Sequence, residues 1–96
     1  MNEKFSGYDV AKYLDTPEGI SAYVEAAMRK PGSDAALIAK ALGDIARAKG
    51  MTQIARESGL SRESLYKALS GNRNPEFDTI LKVVGALGLK LHVTVA

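Results

Sequence analysis

The chain has 96 residues, 46% of them hydrophobic and 25% charged, with a formal net charge of +2; these are the proportions of one small, soluble globular domain. It contains no cysteine and a single histidine, His92. That excludes disulfide frameworks, thiolate metal sites, thiol nucleophiles and any site built on two imidazoles of one chain. No apolar run approaches the ~20 residues that cross a bilayer, and the N-terminus is polar and mixed in charge, unlike a secretory signal. A soluble cytoplasmic protein with no membrane contact is expected, and no residue pattern calls for a cofactor.

Charge is unevenly placed. Residues 1–33 carry four Lys/Arg against five Asp/Glu, whereas residues 47–73 carry Arg47, Lys49, Arg56, Arg62, Lys67 and Arg73 against only Glu57 and Glu63. A basic middle in a nearly neutral chain points to a polyanion partner for that segment, or else to an ordinary solvated helical surface.

In chain order, the spacing of Val10, Tyr13 and Leu14 predicts a short helix over residues 9–14. Thr16-Pro17-Glu18 reads as the next start, with Thr16 as cap, proline at the first helical position and an acid at the positive end of the dipole. Ile20, Tyr23, Val24, Ala27 and Met28 then form one apolar stripe, ended by Lys30-Pro31-Gly32. Ser33 or Asp34 caps a helix with Ile38, Ala41, Leu42 and Ile45 inward, closing at Arg47, Lys49 and Gly50. Thr52 is the expected cap of a short helix that ends at Gly59. Ser61 caps another, from Arg62 to about Ser70, with Leu65, Ala68 and Leu69 inward. After the polar turn Asn72-Arg73-Asn74-Pro75 comes a last helix with Phe77, Ile80, Leu81, Val84 and Leu87 at helical spacing. Beyond Gly88 the pattern changes to strict alternation from Leu89 to Val95, the period of a β-strand. One strand cannot satisfy its own ladder, so it is expected to pair outside this chain's core.

The informative stretch is Met51 to Asn74. Two short helices flank Gly59-Leu60-Ser61, the layout of a helix-turn-helix. Ala55 is small enough for close approach of the helices, Gly59 tolerates positive φ, and Leu60 fills the angle between them. With Leu65 and Ala68 inward, Arg62, Glu63, Ser64, Tyr66 and Lys67 are left on outer faces, where the N-terminal part of such a helix enters the DNA major groove.

Ile54-Ala55-x-x-x-Gly59-Leu60-Ser61-x-x-x-Leu65-Tyr66-Lys67-Ala68-Leu69-Ser70-Gly71 resembles the Xre-type, λ-repressor-like helix-turn-helix. The run from Ala41 to Leu69, together with Asn74-Pro75-x-Phe77-Asp78-Thr79 and the N-terminal Tyr13-Leu14-x-Thr16-Pro17-Glu18, is similar to the probable addiction-module antidote proteins. These are small, HigA-like antitoxins of bacterial type II toxin–antitoxin pairs. The resemblance implies an all-α fold: an N-terminal helical extension over residues 1–33, a five-helix DNA-binding domain over 34–88, and a short C-terminal strand over 89–96 used in dimerisation. It also implies a non-enzymatic homodimer that binds double-stranded operator DNA, represses its own operon and neutralises a RelE/ParE-like toxin. One departure stands out. The first helix of the broader Xre motif reads Thr/Ser-Gln-x-x-Leu-Ala, and Thr52-Gln53-Ile54-Ala55 lacks the two intervening residues, so Gln53 does not inherit a phosphate contact by position alone.

The candidate DNA contacts are Gln53, Ser61, Arg62, Glu63, Ser64, Tyr66, Lys67, Asn72, Arg73 and Asn74. Arg62 leads, because a guanidinium can bond guanine O6 and N7 together; the alternative is a solvated first-turn arginine. Glu63 would accept from a cytosine amine or simply answer the helix dipole, and Lys67 would reach DNA or pair with Glu63. Tyr66 would place its hydroxyl on a phosphate or its ring on a thymine methyl, or be partly buried. Asn72, Arg73 and Asn74 would hold phosphate, or serve only as a turn. Ser61 and Ser64 suit local caps equally well. The candidate dimer face is Val84, Leu87, Leu89, Leu91, Val93 and Val95; the alternative is that this strand joins the toxin's sheet. A stand-alone repressor and a protein-binding helical adaptor are the competing functions.

Overall fold

The computed structural model describes residues 14–96, so the helix expected over residues 9–14 lies almost wholly outside the described part. Five α-helices run in order: α1 Pro17–Arg29, α2 Ala35–Lys49, α3 Met51–Ser58, α4 Arg62–Ala68 and α5 Phe77–Ala86. Among the described residues there is no strand, and no helix is long and apolar enough to cross a membrane.

Local chemistry sets the helix ends. The Thr16 hydroxyl accepts from the Gly19 N–H at 3.0 Å and the Asp34 carboxylate from the Leu37 N–H at 2.9 Å, each satisfying an amide that the first helical turn leaves without a partner. α3 departs from expectation at its start. Its cap is Gly50, with φ 115°, and Thr52 lies inside the first turn. A single residue separates α2 from α3, and Gly50 serves as the end of one and the start of the other.

Burial of one apolar face per helix assembles the core. Leu14, Ile20, Leu42, Ile45, Ile54, Leu65, Leu69 and Val83 are at most 2% exposed, and Tyr23, Val24, Ile38, Leu60 and Ile80 pack around them. α1 lies against α2, α3 touches α2, α4 and α5, and α5 also touches α2. Residues 34–88 thus hold four helices rather than the five expected there; the fifth described helix is α1, which docks onto them through Ile20 and Ala27. The stripe expected on α1 is correct except for Met28, which is 49% exposed. On α5, Ile80, Val84 and Leu87 face inward as expected and Val83 joins them fully buried, while Phe77 and Leu81 are 64% and 43% exposed.

Residues 89–96 do not form the expected strand; they carry no regular secondary structure. The alternating pattern specifies a strand only if another edge supplies its ladder, and no described segment of the chain offers one. Leu89 is held to the helices, its N–H donating to the Val84 carbonyl at 3.0 Å and its side chain packing on the core.

A close backbone approach occurs at Gly43. A Cβ there would sit 2.6 Å from the backbone oxygen of Leu69, so the absence of a side chain lets α2 meet the end of α4. Gly43→Ala is therefore expected to destabilise by about 1–3 kcal/mol as an overpacked core position, lowering the melting temperature by roughly 5–20 °C for a domain of this size. Gly85, also helical, has nothing within 4 Å of its added Cβ, and Gly85→Ala should raise stability by up to about 1 kcal/mol. Thermal denaturation of both variants checks the contrast; equal effects would contradict the close approach at Gly43.

Candidate nucleic-acid interface

The α3–turn–α4 unit follows from three local features. α3 ends on Gly59 in the left-handed conformation, φ 80°, where a side chain would be strained. Leu60 packs against the core beneath the turn, with its N–H donating to the Ser58 hydroxyl at 3.3 Å. Ser61 then caps α4, accepting from the Ser64 N–H at 3.0 Å. Leu65 and Leu69, both fully buried, pin α4 to the core. The helix stops at Ala68, two residues short of the expected end.

With that face inward, Ser61, Arg62, Glu63, Ser64, Tyr66 and Lys67 are all exposed together. Several are already engaged with one another. The Ser61 hydroxyl donates to the Ser64 hydroxyl at 3.0 Å, and Lys67 lies 3.5 Å from the Glu63 carboxylate. An Arg62 Nη2 donates to the Tyr66 hydroxyl at 3.3 Å while the guanidinium carbon stands 5.7 Å from the centre of the Tyr66 ring. Arg62 has no carboxylate partner among the described residues, so its charge is not neutralised within the helix. Gln53 is exposed on α3 and its amide donates to Glu57 at 3.2 Å.

Asn72, Arg73 and Asn74 are exposed on the turn between α4 and α5. Ser70 shapes that turn, its hydroxyl donating to the Lys67 carbonyl and accepting from the Asn72 N–H, both at 3.1 Å. The ten candidate contacts therefore come from three neighbouring pieces, α3, α4 and the following turn. Chemically they offer cations, amides and hydroxyls suited to phosphates and base edges. Among the described residues no cluster of metal-ligating side chains forms, and the Ser61 hydroxyl is occupied as a cap with no adjacent base.

The candidate dimer face divides in two. Val84 and Leu87 are 7% and 5% exposed and already buried in the chain's own core, with Leu89 packed beside them. Leu91, Val93 and Val95 are 45%, 93% and 98% exposed. An apolar groove of about 330 Å³ runs between α1, α2, α5 and this tail, lined among others by Val24, Met28, Ile38, Val84 and Leu91.

A family model described as "probable addiction module antidote protein" matches residues 4–95. The chain belongs to that family. An uncharacterized protein of Haemophilus influenzae is similar to the antidote throughout, 48% identical over 93 residues that cover 97% of this chain and 94% of that protein. No solved structure matches. Membership supports an antidote role in an addiction module, suggests a non-enzymatic regulatory protein, and implies a toxin partner.

One polar cluster of the antidote was not anticipated. Tyr23, expected only as part of an apolar stripe, donates its hydroxyl to Asp44 at 2.7 Å, and Asp44 also accepts from Arg47 at 2.8 Å. The pair clips α1 to α2. Burial, and then the hydrogen bond and negative charge of Asp44, push the Tyr23 phenol up from 10.0 to about 12. The folded state then holds a proton that the unfolded chain has already released between those values, so the contribution is complete below pH 10 and disappears as pH rises toward 12. In chemical denaturation, the stability difference between the parent and Tyr23→Phe should be constant up to about pH 10 and shrink above it. A difference that stays constant to pH 12 would contradict the clip.

Proposed function

We propose that this antidote represses its own operon by binding operator DNA as a homodimer through an Xre-type helix-turn-helix, and neutralises a RelE/ParE-like toxin through a separate surface. One observation carries the DNA reading. The turn at Gly59 and the buried Leu65 and Leu69 turn Arg62, Ser64, Tyr66 and Lys67 outward along a single short helix. A helix presented this way fits the major groove with its first turn against base edges. Asn72, Arg73 and Asn74 on the next turn are suited to the flanking phosphates.

Dimerisation is assigned to the C-terminal tail. Its backbone lacks ladder partners, its odd-numbered residues from Leu91 onward are exposed and apolar, and it borders an apolar groove. A second copy of the tail, pairing antiparallel about a two-fold axis, would satisfy the backbone and cover that groove.

The toxin surface is assigned to the N-terminal region, on the outward face of α1 around Glu18, Ala22 and Arg29, all exposed and outside the groove's lining. Leu14 belongs to the core at 1% exposure, so a truncation that tests this surface must stop before it.

Co-expression with the product of the neighbouring reading frame tests the pairing. If that product is the toxin, it arrests growth alone, and the antidote restores growth and co-purifies with it. A neighbour that is harmless and does not co-purify would favour a stand-alone repressor.

A further inference from the structure

We propose that Tyr66 is a positioning residue for Arg62, and that base discrimination by α4 depends on the pair rather than on the arginine alone. The inference rests on the reading of α4 as the recognition helix. Its own evidence is the geometry of two side chains one turn apart. The Tyr66 hydroxyl accepts from Arg62 Nη2 at 3.3 Å, and the guanidinium carbon lies 5.7 Å from the ring centre. Tyr66 is 44% exposed, so the pair sits on the surface rather than in the core.

A guanidinium on an exposed first turn normally samples many rotamers, and fixing it on a base edge costs that freedom at the moment of binding. The phenol restrains it beforehand. The hydroxyl engages one of the five N–H donors, leaving others for a bidentate contact with guanine O6 and N7. The neighbouring cation does not compete for the ring or the hydroxyl, because Lys67 is drawn to Glu63 at 3.5 Å. Serving Arg62 in this way is a different role from touching phosphate directly, and the two roles predict different energetics.

The test is a double-mutant cycle on the full chain, using Tyr66→Phe, Arg62→Ala and the combination. The probes are the DNA fragment upstream of the antidote's own gene and copies of it with single G·C pairs changed to A·T. Thermal unfolding is followed alongside. Tyr66→Phe keeps the ring and removes only the exposed hydroxyl, so it should unfold as the parent does. It should lose about three- to tenfold in preference for one G·C pair, the factor an ordinary solvent-exposed hydrogen bond carries, with an unchanged salt dependence. In the Arg62→Ala background, Tyr66→Phe should then have no further effect. The same loss in both backgrounds would make Tyr66 a direct DNA contact and overturn the proposal, as would no loss in either. If Arg62→Ala binds every fragment as tightly as the parent, the recognition-helix reading falls, and the positioning role falls with it.

Discussion

Removing residues 91–96 should convert the proposed dimer into a monomer and lower affinity for the proposed operator by about 10²–10⁴-fold, the range lost when two linked sites become one. The cut is placed after Lys90 because Leu89 belongs to the core, bonded to Val84. The large apolar residues removed are Leu91, Val93 and Val95, which are 45%, 93% and 98% exposed in the single chain. A helix-turn-helix dimer reads two half-sites about 34 Å apart. Without the two-fold partner only one remains, and the second no longer adds its binding energy. The fold itself should survive, since the largest buried side chains all precede the cut. Light scattering reports the mass and a gel shift the affinity. A truncated chain that stays dimeric would move the interface to a helical surface, where Phe77 and Leu81 are exposed.

Arg62→Ala should lower affinity for the operator by about 1–3 kcal/mol and relax base preference at one position, the signature of a lost bidentate contact. Arg73→Ala should behave differently. On the turn after α4 it is suited to phosphate, so its removal should weaken binding to all sequences alike and lower the salt slope by about one phosphate's worth. Both side chains are exposed, so neither change should disturb the core. Comparing operator with unrelated DNA across a salt series separates the two effects. Unchanged binding in both variants would remove α4 and its following turn from the interface.

Much of this arrangement was legible in the sequence because it is written in local chemistry. Thr16, Asp34 and Ser61 are short polar side chains ahead of apolar-periodic runs, and all three cap helices. Gly59 between two such runs is a helix terminator by its conformational freedom, and Leu65 and Leu69 follow from helical spacing. What failed depended on information the local pattern lacks. In α5 the run Ile80-Leu81-Lys82-Val83-Val84 is apolar almost all round, so periodicity alone does not choose between the Phe77–Leu81 face and the Val83 face; packing against α3 decides. Thr52 has the chemistry of a cap, yet the one-residue link between α2 and α3 gives that place to Gly50. The partner of Tyr23 lies 21 residues away on another helix, out of reach of any local rule. The alternating tail encodes a strand whose ladder this chain does not contain. The exposure of the candidates on α4, by contrast, was readable, because inward anchors fix what remains outside on so short a helix; the pairing of Arg62 with Tyr66 was signalled only by their four-residue spacing.

Sequence-specific DNA binding by α4 is tested directly by one titration. The full chain is titrated against the fragment upstream of its own gene and against a scrambled fragment of equal length and composition, at physiological salt. The upstream fragment should bind at least about 10³-fold more tightly, the lower bound for specific recognition. Equal affinity for the two fragments would show that the basic face of α3, α4 and the following turn attracts DNA only as a polyanion, and would contradict the assignment of α4 as a reader of sequence.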